Sequence, residues 1–167
     1  MLPVFASDIL HVGPQGLGLL RACPAIGATL MAFFLVFKPP VQNSGKILFI
    51  CVTGFGISMI GFALSTSFIL SGVLLILSGA FDSVSVVIRG TILQLFTPDH
   101  MRGRVASVNS IFIGSSNELG AFESGVAAKI MGLVPSVVFG GVMTLAVVIT
   151  TIRLNKPLRK LSLRNKM

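Results

Sequence analysis

Tryptophan and tyrosine are absent, histidine and cysteine occur twice each, and the 167 residues carry only five acidic side chains. Each shortage excludes something. Without Trp or Tyr the chain has no aromatic belt of the kind that marks the edges of a bilayer, and its 13 phenylalanines fall mostly inside apolar runs. Cys23 and Cys51 are isolated in such runs, so neither a disulfide framework nor a metal-ligand spacing can be built from them. His11 and His100 lie in loop sequence, which leaves no histidine cluster for metal or acid–base work. Neither a metal nor a cofactor is expected. No serine, cysteine or histidine has a base within helical reach, and "GPQGLG" (13–18) opens an apolar helix, where it serves close packing better than a phosphate cradle. An enzyme is therefore not expected. Met1 is followed by "LPVFASDIL", which has neither the basic start nor the apolar length of a cleavable leader.

What the chain does have is grease. It is 53% hydrophobic and 11% charged, with a mean hydropathy of +0.94, outside the balance of a soluble domain. The fold class read from this is an all-α integral membrane protein. The net charge of +8 does not point to nucleic acid, because six of thirteen basic residues (Arg153, Lys156, Arg159, Lys160, Arg164 and Lys166) crowd the last fifteen positions, just after an apolar run. Such a tail is drawn to anionic headgroups, so membrane lipid is the expected partner.

About 20 apolar residues cross a bilayer. Five stretches qualify, at about 14–37, 46–66, 67–93, 105–130 and 134–153, forming a transmembrane bundle over 1–155 followed by a basic tail at 156–167. The separators "KPPVQNSGK" (38–46) and "TPDHMRGR" (97–104) are basic, whereas "DILHVGP" (8–14), "STS" (65–67) and "GLVP" (132–135) carry no Lys or Arg. The positive-inside rule therefore puts the two basic loops and the C-terminal tail in the cytoplasm, with ten of the thirteen Lys and Arg residues at the inner face of the cytoplasmic membrane. Five spans with the tail inside leave Asp8 outside, so residues 1–9 read as the outer end of a truncated helix.

Charge inside the spans is the chemistry-bearing feature. Arg21, Asp82, Arg89, Glu118, Glu123 and Lys129 lie in or at the ends of the runs. Charge is costly in hydrocarbon, so these side chains are expected to face a bundle interior or an aqueous cavity and to pair, with Lys129 snorkelling to the headgroups. Arg21 lies roughly 10 Å below the outer face, and Glu118, about 20 Å above the inner one, reaches the same level, so a pair between them is expected. Asp82 and Arg89 share a face seven residues apart, a rise of roughly 10 Å that reads as too long for a direct bond.

Thr97, Pro98 and Asp99 spell a helix start, a hydroxyl cap followed by proline at the first position and an acid at the positive dipole end. Arg102 and Arg104 follow as inner-surface anchors. Asn109, Ser116 and Glu123 recur every seven residues on one stripe, while Glu118 points to a nearly opposite face. Neither acidic side suits lipid, so this helix is expected between neighbours or beside a cavity. Ser116, Gly120, Ser124 and Ala128 follow the four-residue repeat that lets membrane helices approach closely. Packing plus a structural ion pair and direct substrate or proton contact both remain open readings of this segment.

The stretch "DSVSVVIRGTILQLFTPDHMRGRVASVNSIFIGSSNELGAFESG" (82–125), with "LPVFASDILHVGPQGLGLLRACPAIGATLMA" (2–32) upstream, resembles the major facilitator superfamily, in the branch of the enterobactin exporter and secretion-effector permeases. Ala121 stands where an acid is frequent in that branch, and the 38–46 loop keeps only Gly45 and Lys46 of its usual basic turn. The resemblance implies the C-terminal six-helix bundle of a twelve-helix permease, with its first helix truncated to leave five full spans. It also implies a fragment of a secondary active transporter that exports siderophore- or drug-like small molecules by alternating access, coupled to protons, and that lacks its N-terminal half. Arg21, Asp82, Arg89, Asn109, Glu118 and Glu123 are the candidate substrate and proton-coupling residues, and Asp99, Arg102, Gly103 and Arg104 form the cytoplasmic loop motif. Asp82 and Glu118 are the candidate proton carriers. The competing expectation is a non-transporting membrane subunit or half-transporter that needs a partner chain.

Overall fold

The computed structural model describes residues 2–10, 12–38 and 44–154. His11, most of the 38–46 loop and the tail at 156–167 lie outside these residues. Every regular element among the described residues is helical: α1 (Leu2–Asp8), α2 (Pro14–Phe37), α3 (Ser44–Leu64), α4 (Phe68–Phe96), a 3₁₀ turn (Asp99–Met101), α5 (Arg102–Met131) and α6 (Leu133–Leu154).

The helix ends follow local chemistry. Pro14 opens α2 after an extended Gly13, where its missing N–H costs nothing. Extended Ser67 precedes α4 and its carbonyl accepts from the Ser71 N–H at 2.9 Å. Pro98 then forces Thr97 out of helical geometry and closes α4. Gly132, at φ +87°, ends α5 in a conformation that a side chain would strain, and its N–H donates to the Ala128 carbonyl at 3.0 Å.

Thr97 departs from its expected role. Its hydroxyl donates backwards to the Leu93 carbonyl at 2.6 Å instead of capping a following helix, and Pro98 precedes a 3₁₀ turn rather than occupying the first position of α5. A threonine can bond the carbonyl four residues back wherever the helix behind it is already formed, and here α4 runs to its door.

Four helices, α2, α3, α4 and α6, are long and apolar enough to cross a bilayer. Helix α5 has 30 residues, and so a length of about 45 Å, but carries too many polar groups to meet the same standard. The chain is an integral membrane protein. Its packing runs as a row: α2 lies broadly on α4, α4 on α3, α3 on α6, and α5 touches α6 along a shorter seam.

Glycines make the first three of these contacts close. A β-carbon on Gly27 would collide with the Ile76 carbonyl, and one on Gly79 with the Pro24 carbonyl, so α2 and α4 cross backbone to backbone. Gly54 receives the Phe81 ring from α4, and Gly56 and Gly141 face each other across α3 and α6. Without a hydrophobic drive between helices in lipid, such intimacy supplies the dispersion energy that holds them. The stripe expected to do this on α5 does not: a β-carbon on Gly120 would meet nothing within 4 Å, because α5 has no backbone laid against that side.

Two buried apolar clusters hold α1 to α4 together. Phe5, Ala6, Leu20, Phe62 and Leu75 form the first, with the Phe5 and Phe62 rings 4.4 Å apart. Cys51, Val84 and Ile88 form the second. Phe5→Ala is expected to destabilise the bundle by about 2 kcal/mol, less than in water because lipid tails are as apolar as the pocket it leaves. A lowered thermal midpoint of the detergent-extracted chain would register it, and an unchanged midpoint would mean that α1 is not docked.

Candidate functional site

Helices α4 and α5 do not pack closely on each other, but residues of both line a groove of about 580 Å³. Its walls are two helical stripes. From α4 come Asp82, Val86, Arg89, Gly90 and Leu93, at spacings of four, seven, eight and eleven; from α5 come Asn109, Phe112 and Ile113, then Ser116 and Asn117. Two smaller hollows of about 190 and 410 Å³ share Leu93 and Asn109 with it and extend it towards Arg102 and Arg104.

The charged pair in the groove is open. Arg89 Nη2 stands 3.9 Å from Asp82 Oδ1, beyond the length of a charge-assisted hydrogen bond, with both side chains more than half exposed. Arg89 is steadied instead by its own helix, since its Nε donates to the Ser85 carbonyl at 3.3 Å. The two stand closer than the rise of roughly 10 Å suggests, as a loose ion pair without the direct hydrogen bond that the spacing spoke against. Rise alone omits that helical side chains lean towards the N-terminus, and the long arginine reaches back over two turns towards Asp82. By contrast, Arg102 Nη2 and Asp99 Oδ1 close to 2.9 Å across the turn before α5.

The expected pair of Arg21 with Glu118 is not formed. Both are exposed, and among the described residues the ion pairs are Arg89 with Asp82 and Arg102 with Asp99. Matching depth along the helices said nothing about their lateral order, which lays α2 on α4 and α5 on α6. Glu123 lies apart, in a hollow of about 380 Å³ on α5 with Phe122 and Val126. Gly103 has open space about it. Of the sequence candidates, the groove and its extensions gather Asp82, Arg89, Asn109, Arg102 and Arg104. Phe112 and Asn117 were not anticipated. Their spacing of three and eight from Asn109 was the available signal, masked because polar groups dot every side of this helix.

Among the described residues no group of three His, Cys, Asp or Glu could hold a metal. The profile of transmembrane secretion effectors matches residues 1–165. The chain belongs to that family. Transmembrane secretion effectors are a branch of the major facilitator superfamily of membrane transporters. No curated protein and no solved structure matches this secretion effector. In this transmembrane secretion effector the α4–α5 groove combines two charged groups, Asp82 and Arg89, and two amides, Asn109 and Asn117, with apolar walls.

Proposed function

We propose that this chain is the C-terminal bundle of a proton-coupled exporter of small molecules in the cytoplasmic membrane, and that the α4–α5 groove is its share of an alternating-access path. The observation that carries this reading is the open groove between α4 and α5 with the Asp82–Arg89 pair on its wall. Intramembrane charge in such a place favours a substrate or ion pathway. Asp82 and Glu118 are the proton carriers of this reading, and the basic loops and tail face the cytoplasm.

Helix α5 adds a second element to the proposal. It exposes Asn109, Asn117, Glu118 and Glu123 around its circumference and buries none of its residues, so lipid alone is a poor surround for it. A second helical bundle, an N-terminal half in the same or another polypeptide, covers that face and completes the path. The competing reading, a subunit that transports nothing, requires the groove to be dry.

Thiol labelling tests both points in membranes holding the full chain with Cys23 and Cys51 replaced by serine. Asn109→Cys is expected to react with a hydrophilic, membrane-impermeant maleimide at least ~10-fold faster than Ile149→Cys, an exposed apolar position on α6. Equal, slow reaction of the two would remove the aqueous path. In the same background Lys46→Cys and Asp99→Cys are expected to be labelled from one side only, the cytoplasmic one, and labelling from opposite sides would overturn the threading.

A further inference from the structure

We infer that the α4–α5 groove selects small amphipathic anions of the carboxylate class, with Arg89 as the anion-binding group and Asp82 as the built-in competitor that a substrate displaces. This rests on the transport reading and goes beyond it by naming the charge of the cargo.

The chain makes the same kind of pair twice, once closed and once open. Arg102 and Asp99 sit at 2.9 Å, within hydrogen-bond range, whereas Arg89 and Asp82 stop at 3.9 Å. With Nε turned to the Ser85 carbonyl, the terminal nitrogens of Arg89 keep N–H groups for an incoming acceptor. A guanidinium matches a carboxylate in a two-point fork, which a 3.9 Å contact with Asp82 does not realise.

The rest of the groove favours the same sign. Arg89, Arg102 and Arg104 line the groove and its extensions with Asp82, and with Asp99 counted as the partner of Arg102 an excess of one positive charge remains. Asn109, Ser116 and Asn117 line the same space as Arg89, and each can donate a hydrogen bond to an oxyanion. A cation would have Asp82 as its counter-charge, already faced by Arg89, and would meet Arg104 further along. Phe112, Val86 and Ile113 supply an apolar wall, so an anion with a ring or short aliphatic body fits better than a bare inorganic one. The volume of about 580 Å³ falls in the usual range of small-ligand sites.

The test uses two isosteres that differ in charge, 2-naphthoate and 2-naphthamide, both radiolabelled, in equilibrium binding to membranes holding the full chain, with chain-free membranes as background. Naphthoate is expected to bind at least ~10-fold tighter than naphthamide. Arg89→Gln is expected to abolish that preference while leaving naphthamide binding in place, which also reports that the variant folds. Asp82→Asn is expected to tighten naphthoate several-fold without moving naphthamide, because the internal competitor is gone; Lys129→Gln, at the end of α5, is expected to change neither. Equal binding of the two probes, a preference that survives Arg89→Gln, or weaker naphthoate binding in Asp82→Asn would each overturn the inference. Should Arg89→Gln fail to fold, the Asp82→Asn result decides alone. Labelling of Asn109→Cys separates the two levels: a wet groove without charge preference sinks the cargo class and spares the transport reading, and a dry groove sinks both.

Discussion

Gly79→Val is expected to leave no stable bundle. A β-carbon at this position would fall on the backbone of Pro24, within 2.7 Å of its Cα and closer still to its carbonyl oxygen. No rotamer relieves a clash with main chain, so α2 and α4 must part, and with them goes the broadest helix contact in the molecule. Overpacking costs about 1–3 kcal/mol per site when side chains can shift, and a collision with rigid backbone belongs at or beyond the top of that range. Gly27→Val should do the same from the other side, since its β-carbon would strike the Ile76 carbonyl and come within 3.1 Å of the Ala80 nitrogen. Yield of monodisperse protein after detergent extraction, with its thermal midpoint, measures the effect. Gly114→Ala is the control, because open space surrounds Gly114 and the change should gain about 0.5–1 kcal/mol of helix propensity. Were Gly79→Val to purify and melt like the parent, the backbone crossing would not exist.

The second large effect is functional and belongs to the proposed exporter. In the intact transporter, Glu118→Gln is expected to preserve expression and membrane insertion but to abolish efflux driven by a pH gradient. Glu118 is exposed on α5 and takes part in neither ion pair among the described residues. Substitution therefore removes no packing, while glutamine cannot take up or release a proton. Ionisable groups embedded in a membrane bundle mark ion and proton pathways in transporters, which makes Glu118 a carrier in the proposed exporter. Efflux measured with and without an imposed gradient, at matched protein level, reads the result. Normal dependence on the gradient would make Glu118 structural and leave Asp82 as the proton carrier.

How legible these features were depends on the kind of information each requires. The helical, membrane-embedded class follows from hydropathy and length alone, and the apolar runs lie on helices because an apolar segment of that size has no other way to satisfy its backbone in lipid. The end of α4 was harder, since "LQLF" continues the helix past residue 93 until Pro98 intervenes. Lateral order was not legible. Arg21 and Glu118 match in estimated depth, yet nothing in one dimension says that α2 neighbours α4 while α5 neighbours α6. With 18 glycines in the chain, the pair that sets the α2–α4 crossing, Gly27 and Gly79, carries no mark to distinguish it from Gly114 or Gly120. The groove was half legible: Asp82, Arg89 and Asn109 stood out as polar groups in apolar sequence, but their meeting across two helices depends on packing.

The row of helices also fixes how the molecule would yield to mechanical load. Drawn from its C-terminal end by a cantilever, the hairpin of α5 and α6 is restrained chiefly by the Gly56–Gly141 crossing and should peel off first at modest force. The α2–α4 pair would rupture last and most abruptly, because its interlocked backbones must release together.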